Sequence, residues 1–155
     1  MAKTVADVMT LDPIVVKPEM PIKEAIKILA KQRISGLPVV DDTGKLVGVL
    51  SETDLLWQET GVEPPLYITF LDSVIYLENP ARHDKELHKA VGQTVGEVMS
   101  DEPVTVTPDQ PLQKAAKLMQ ERSIRRLTVT DDAGKVIGIL TPGDIVRAMA
   151  AAFEQ

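Results

Sequence analysis

The sequence contains no cysteine, and only 3% of its residues are aromatic. Without cysteine the chain can have no thiol nucleophile, no cysteine–zinc site and no disulfide framework. Because this absence is typical of proteins from a reducing compartment, we expect a cytoplasmic location. With so few aromatic rings, the core must be built from aliphatic side chains. A chain of 155 residues is long enough to bury such a core without a metal or a disulfide.

Positive charge is also in short supply. Lys and Arg number 17 against 23 Asp and Glu, which gives a net charge of −6. Nucleic acids and anionic membranes recruit proteins through basic surfaces, so neither is an expected partner. No apolar run approaches the roughly 20 residues of a membrane span, and the opening residues MAKTVADVM lack the apolar core of a signal peptide. We therefore expect no contact with a membrane.

One short sequence pattern occurs in two versions. GVLSETD begins at Gly48, and GILTPGD begins at Gly138. When the chain is shifted by 90 residues, it matches itself without a gap, residues 5–57 against residues 95–147. Repetition of this length indicates two copies of one structural unit. We therefore predict a first motif at 1–57, a connector at 58–93 and a second motif at 94–155.

Each copy has the same predicted order of elements. PIVV and PVTV are short opening strands, and apolar residues recur at helical spacing after Pro21 and Pro111. Two strands follow, joined by the turns DDTGK and DDAGK, and a last helix closes the unit. A β-α-β-β-α unit of about 50 residues buries little surface alone. The prediction is an α/β (α+β) fold in which two such units pack sheet to sheet about a pseudo-twofold axis.

The connector has no counterpart in the repeat. In LYITFLDSVIYL, the residues Leu66, Phe70, Val74 and Leu77 fall near helical spacing, although the β-branched content leaves a strand open. The segment NPARHDKELHKAVG predicts a helix capped by Asn79. The connector is thus predicted to be mostly helical, and to pack over the motifs or contribute to a dimer contact.

The segments GLPVVDDTGKLVGVLSETDLL and RRLTVTDDAGKVIGILTPGDIVRAM resemble the CBS (cystathionine-β-synthase) domain, and their tandem resembles a CBS pair, or Bateman module. The resemblance covers nearly the whole chain apart from the connector. It implies that AMP, ADP, ATP or S-adenosylmethionine binds as a regulatory ligand in clefts between the two motifs. It also implies a homodimer and an unidentified partner protein that the ligand-bound chain modulates.

The resemblance further implies which residues line each cleft. The hydroxyl and the aspartate of the last strand–helix turn hold the ribose, and residues near the first strand of the other motif contact the adenine. The family often uses a basic residue at a strand start to clamp phosphate. Because Arg125 and Arg126 stand where the first motif has Ser35 and Gly36, we expect the main cleft in the second motif. The implied residues are Asp144, Thr141, Arg126, Arg125, Asp12, Pro13 and Ile14 for the main cleft, and Asp54, Ser51, Ser35, Gly36, Pro103, Val104 and Thr105 for the second cleft.

A structural interpretation of the same turns stays open. Ser51 with Asp54, and Thr141 with Asp144, have the spacing of helix capping boxes, and Pro142 suits the first helical residue. On that interpretation, the chain is a ligand-free module for oligomerisation or protein interaction. An enzyme is not expected, since no nucleophile, acid–base pair, glycine-rich phosphate loop or metal-ligand cluster stands out. We expect no required cofactor and no metal.

Overall fold

The computed structural model describes residues 3–61, 67–70, 73–76 and 79–154 of the chain. The chain divides into two compact units. The first comprises Met1–Val15, Val40–Gly48 and Asp101–Gln155, and the second comprises Val16–Val39 and Val49–Ser100. Each unit therefore contains segments of both sequence repeats, whereas the predicted motif boundaries follow the repeats themselves.

Both repeats contain three helices and three strands. The first repeat has α1 (Val5–Val8), β1 (Thr10–Leu11), α2 (Ile22–Gln32), β2 (Gly36–Val40), β3 (Leu46–Ser51) and α3 (Glu52–Thr60). The connector has β4 (Tyr67–Phe70), β5 (Ser73–Tyr76) and α4 (Pro80–Val91). The second repeat has α5 (Val95–Val98), β6 (Thr105–Val106), α6 (Leu112–Arg122), β7 (Leu127–Thr130), β8 (Val136–Leu140) and α7 (Pro142–Phe153).

The opening strands of the two repeats are shorter than predicted. PVTV contributes β6, whose Val106 pairs in parallel with Val129 of β7. PIVV contributes only an isolated parallel bridge between Val16 and Val39, where the Val16 N–H donates to the carbonyl of Pro38 (3.0 Å). The β-α-β-β-α order is thus complete in the second repeat. In the first repeat, the strand predicted at PIVV is reduced to one bridge.

A four-stranded sheet with the order β1-β8-β7-β6 forms the framework of the first unit. β8 pairs antiparallel with β7 on one side and with β1 on the other, where Thr10 lies opposite Ile139 and Leu11 opposite Gly138. Gly138 permits this close approach, because a Cβ atom there would lie 2.7 Å from Sδ of Met9. The pairing brings Thr10, from the first repeat, to the end of β8 and hence to the start of α7.

Aliphatic side chains fill the interior of both units, as the scarcity of aromatic residues requires. The core of the first unit is formed by Val5, Val106, Ala115, Met119, Leu127, Val129 and Leu140. The buried hydrophobic residues of the second unit include Val16, Ile22, Ala25, Leu29, Leu37, Val39, Leu50, Val95 and Val98. Leu50 and Leu140 are fully enclosed and directly precede Ser51 and Thr141. The two cores therefore hold the starts of α3 and α7 in place.

The first half of the connector is a β-hairpin, which is the alternative that its β-branched content left open. β4 and β5 pair antiparallel, from Tyr67 opposite Tyr76 to Phe70 opposite Ser73. Four β-branched residues lie in these strands, namely Ile68, Thr69, Val74 and Ile75. Branching at Cβ favours extended backbone, and here it outweighs the helical spacing of the apolar residues. The expectation of a mostly helical connector is therefore corrected for this half; Leu66 and Leu77 lie outside the described residues.

The second half of the connector is the predicted helix. Asn79 caps α4 through its side-chain oxygen, which accepts a hydrogen bond from the N–H of Ala81 (3.0 Å). α4 packs along α3. It ends at Gly92, which lies so close to α5 that a Cβ atom would be 2.8 Å from Cγ2 of Val98. This docking places Lys89, in the last turn of α4, beside the first turn of α3.

Candidate functional site

Both aspartates that are predicted to hold a ribose belong to helix caps. Oδ2 of Asp144 accepts hydrogen bonds from the N–H (2.9 Å) and the hydroxyl (3.1 Å) of Thr141, whose Oγ1 in turn accepts the Asp144 N–H (3.2 Å). Asp54 and Ser51 repeat the pattern at 2.9, 3.0 and 3.4 Å. The capping-box interpretation is therefore confirmed at α3 and at α7. It uses one oxygen of each carboxylate and leaves the other oxygen to further partners.

The second oxygen of Asp144 faces one hydroxyl and one cation. The Thr10 hydroxyl donates to Oδ1 at 2.9 Å, and Nη2 of Arg147 donates to it at 2.7 Å. The carboxylate is buried, whereas the Arg147 side chain is 71% exposed. Arg147 lies three residues further along α7, so it covers the carboxylate from the solvent side.

The second oxygen of Asp54 also faces one hydroxyl and one cation, but the cation comes from the connector. The Ser100 hydroxyl donates to Oδ1 at 2.9 Å, and Nζ of Lys89 donates to it at 2.6 Å. The Lys89 ammonium also donates to the carbonyl of Val98 (3.0 Å) and to the Ser100 hydroxyl (3.2 Å). The Lys89 side chain is only 18% exposed, so this ion pair is largely shielded from solvent.

The two hydroxyls occupy the same position of the repeat. Thr10 and Ser100 are 90 residues apart. Thr10 directly follows VADVM, and Ser100 directly follows the matching segment VGEVM. Each donates to the aspartate of the other repeat. The alignment of the two repeats places a hydroxyl residue at this position in both copies, and that match is a signal for the contact in the sequence. The two cations have no such relation, because Trp57 stands at the position of Arg147 and Lys89 lies in a segment with no counterpart. Motif comparison therefore could not have found Lys89.

Asp144 is held in its ionised form. Burial alone would raise its pKa, but the hydrogen bonds from the Thr141 backbone, the Thr10 hydroxyl and Arg147 outweigh burial and keep the pKa below its usual range. An ionised carboxylate offers only acceptor positions. At neutral pH this buried group can therefore accept hydrogen bonds from a pair of neighbouring hydroxyls.

The lowered pKa of Asp144 predicts how an isosteric substitution depends on pH. At neutral pH, Asp144→Asn should lower the free energy of unfolding by about 1 kcal/mol, because the amide loses the negative charge in the first turn of α7 and the charge-assisted hydrogen bonds from Thr141, Thr10 and Arg147. A carboxyl whose pKa is lower in the folded chain stabilises the fold above its unfolded pKa, near 3.9, and loses that contribution as the pH falls through the folded value. Urea unfolding of both proteins should show the gap closing below about pH 4. A gap that stays constant down to pH 3 would contradict this account.

The remaining residues predicted for the main cleft lie in the first unit. Arg125 is exposed and Arg126 is half-buried directly before β7. Asp12, Pro13 and Ile14 follow β1, whose Thr10 contacts Asp144. Asp12 has a φ of +51°, so the chain turns sharply there as it leaves the sheet. Their contact with a ligand stays a prediction.

The residues predicted for the second cleft are divided between the two units. Ser51, Ser35 and Gly36 lie with Asp54 in the second unit, where the Ser35 carbonyl accepts the Glu52 N–H (3.0 Å) and Gly36 begins β2. The residues Pro103, Val104 and Thr105 belong to the first unit. Their part in a ligand site stays a prediction. Lys89 and Ser100, which do contact Asp54, were not among the predicted residues.

In the described part of the chain, no helix combines the length and the apolar character needed to cross a membrane. Within the same residues, no three His, Asp or Glu side chains come together as a candidate metal site.

Comparison with known proteins supports the resemblance seen in the sequence. A family model described as the CBS domain matches residues 5–58 and 95–151. The chain belongs to the CBS domain family. Both aspartates and both helix caps lie in the matched segments, and the connector lies between them.

Two curated relatives resemble the CBS pair along most of its length. The chloroplastic CBS domain-containing protein CBSX2 of Arabidopsis thaliana is 38% identical over 143 residues, which cover 86% of this chain and 57% of the relative. The chain thus spans less than two thirds of that relative. An uncharacterized protein of Methanocaldococcus jannaschii, MJ1426, is 33% identical over 144 residues, which cover 88% of this chain and 86% of that protein.

Solved structures share the fold. The crystal structure of CBSX2 in complex with AMP gives a TM-score of 0.80 at 35% identity and covers 96% of this chain and 97% of its own. The CBS domain pair of protein MJ0100, in complex with 5′-methylthioadenosine and S-adenosyl-L-methionine, gives 0.69 at 28% identity and covers 98% and 99%. The predicted fold of a tandem CBS pair is therefore confirmed.

Proposed function

We propose that this CBS pair binds an adenosine ligand, either an adenine nucleotide or S-adenosylmethionine, at Asp144, and that the bound state modulates a partner protein. The observation that carries the proposal is the state of Asp144, a buried and ionised carboxylate whose second oxygen is covered by the exposed Arg147. The related structures named above were solved with AMP, and with 5′-methylthioadenosine and S-adenosyl-L-methionine. These ligands share a ribose.

Asp144 has the chemistry that a ribose requires. The 2′ and 3′ hydroxyls of the sugar are neighbouring donors, and a carboxylate is an acceptor of charge-assisted hydrogen bonds. The ribose hydroxyls can donate to Oδ1 of Asp144 only if one of its present donors, Thr10 or Arg147, withdraws. Arg147 can do so, because its side chain is already 71% exposed and the Thr10 hydroxyl still donates to Oδ1. The Thr10 and Thr141 contacts keep the carboxylate oriented meanwhile.

Two arginines favour a ligand with phosphate at this site. Arg125 and Arg126 lie directly before β7, in the same unit as Asp144. Guanidinium groups bind phosphate oxygens through two parallel hydrogen bonds. The freed Arg147 would add a third positive group. We therefore propose the Asp144 site as the main ligand site and a nucleotide as its preferred ligand, with Asp12, Pro13 and Ile14 against the adenine.

We propose a second site around Asp54, Ser51, Ser35 and Gly36, all of which lie in the second unit. It lacks the two arginines, so its ligand would carry a less charged tail. Modulation of a partner further requires that the ligand have different affinities for two arrangements of the protein. The homodimer, the cytoplasmic location and a purely regulatory role without catalysis stay predictions of the sequence.

Calorimetric titration with AMP, ADP, ATP and S-adenosylmethionine tests the proposal. We expect saturable binding of at least one nucleotide, weakened about 10- to 100-fold by Asp144→Asn, since a hydrogen bond to a charged group contributes about 1.5–3 kcal/mol. The matched control is Asp132→Asn, which removes an exposed carboxylate from a turn of the same repeat. Equal weakening by both variants would reduce the effect to net charge and contradict a role for Asp144.

The alternative function is a ligand-free module for oligomerisation or protein interaction. The capping boxes favour it, because Ser51 and Asp54, like Thr141 and Asp144, already satisfy one another without a ligand. On this alternative no ligand gives heat, the melting temperature does not change at millimolar ligand, and Asp144→Asn affects stability only.

A further inference from the structure

The ammonium group of Lys89 has an acceptor for each of its three hydrogens. It donates to Oδ1 of Asp54 (2.6 Å), to the carbonyl of Val98 (3.0 Å) and to the hydroxyl of Ser100 (3.2 Å). Its side chain is 18% exposed, and that of Asp54 is 7% exposed. A cation this well satisfied and shielded is an integral part of the folded site.

The backbone around Lys89 is held as firmly as its side chain. The side-chain amide of Gln58, in α3, donates to the carbonyl of Lys89 and to that of Gly92 (3.2 Å). Gly92 lies so close to α5 that no larger residue fits without displacement. The end of α4 is therefore docked on both α3 and α5, and this docking keeps the Lys89 backbone next to Asp54.

The cation at the other aspartate is held differently. Arg147 makes one hydrogen bond to Asp144, and 71% of its side chain is exposed. It can turn into solvent without leaving a buried acceptor unsatisfied. Withdrawal of Lys89, in contrast, would also remove its hydrogen bond to the carbonyl of Val98, a fully buried residue, and losing a donor is costly for a buried group. The two aspartates thus have similar partners but unequal access for a competing donor.

We propose that Lys89 determines which aspartate accepts the adenosyl ligand. It occupies the carboxylate oxygen of Asp54 that a ribose would need, and so restricts binding to the Asp144 site. Entry of a ligand at Asp54 requires Nζ of Lys89 to give up its hydrogen bond to Oδ1. This inference rests on the proposed function, since it assumes that the same ligand chemistry applies at both aspartates.

Titration with AMP tests this role through the number of sites per chain. We expect one site in the wild type, weakened by Asp144→Asn as above, and two sites in Lys89→Met, which keeps the length of the side chain but cannot donate. The added site should disappear in the double variant Lys89→Met/Asp54→Asn. The control is Lys85→Met, which removes an exposed lysine one turn earlier on α4 and should leave one site. Lys89→Leu, which also cannot donate, serves as a second variant if Lys89→Met does not fold, as judged by circular dichroism and melting temperature.

The outcomes separate this inference from the proposed function. One site in both the wild type and Lys89→Met overturns the role of Lys89 and leaves the proposed function intact. Two sites already in the wild type, or weaker binding in Lys89→Met, also overturn it, because Lys89 would then tolerate or assist the ligand. If neither the wild type nor Lys89→Met binds AMP or S-adenosylmethionine, both the inference and the proposed function are overturned. Binding only in Lys89→Met supports the inference and moves the proposed function from Asp144 to Asp54.

Discussion

Replacing Asp54 with alanine is expected to lower the free energy of unfolding by about 3 kcal/mol, because it leaves the shielded ammonium of Lys89 without its counter-charge. Removing one partner of a buried ion pair is more damaging than removing both. The change also deletes the capping box of α3, which contributes to the same loss. Urea unfolding at neutral pH, followed by circular dichroism, measures the difference.

Asp144→Ala is the matched comparison for Asp54→Ala. It deletes an equivalent capping box, but Arg147 is exposed and can turn into water, so we expect a loss of only about 1–2 kcal/mol. The double variant Asp54→Ala/Lys89→Met should be more stable than Asp54→Ala alone, because the uncompensated charge is gone. If Asp144→Ala were as damaging as Asp54→Ala, the enclosure of Lys89 would not be the cause.

The second large effect is expected in the core of the first unit. Leu140 is fully enclosed among aliphatic side chains, so Leu140→Ala should lower the free energy of unfolding by about 2–5 kcal/mol through lost burial and the cavity that remains. Because Leu140 directly precedes Thr141, ligand binding at Asp144 should weaken in the fraction that stays folded. Chemical denaturation and AMP titration of the same preparation measure both effects.

Leu11→Ala is the control for Leu140→Ala. It removes the same side chain from β1, which pairs with β8 in the same sheet, but Leu11 is 64% exposed. We expect a change of no more than about 0.5 kcal/mol. A loss at Leu11 comparable to that at Leu140 would show that leucine at this sheet contributes through strand propensity and not through burial.

The repeat made most of the fold predictable. Every element of one copy could be checked against the other, and the spacing of Thr141 and Asp144 carries the geometry of the cap itself. The spacing of apolar residues predicted the wrong element in the first half of the connector. There the apolar positions favour a helix, but the β-branched residues favour extended backbone, and the segment forms a hairpin. The hairpin prevails there because extended backbone suits those side chains.

The candidate site was less predictable than the fold, for a different reason. Caps depend on residues three apart, so the sequence displays them directly. The contacts to the second carboxylate oxygens join residues 134 and 46 positions apart, Thr10 with Asp144 and Ser100 with Asp54. The β1–β8 register brings the first pair together, and an isolated bridge between Val49 and Ser100 brings the second pair together. The Lys89 contact depends on how α4 docks, and no periodicity or motif reports that.

The exchange of hydroxyls between the two repeats bears on the ancestry of the chain. A single ancestral copy would carry an aspartate at its last helix and a hydroxyl that cannot serve that aspartate. It could complete the contact only with a second molecule of itself, so association of two chains would have come before duplication of the gene. With both copies in one chain, the exchange is intramolecular and the copies need not stay identical. Asp144 pairs with a cation from its own helix, and Asp54 pairs with a cation from the connector.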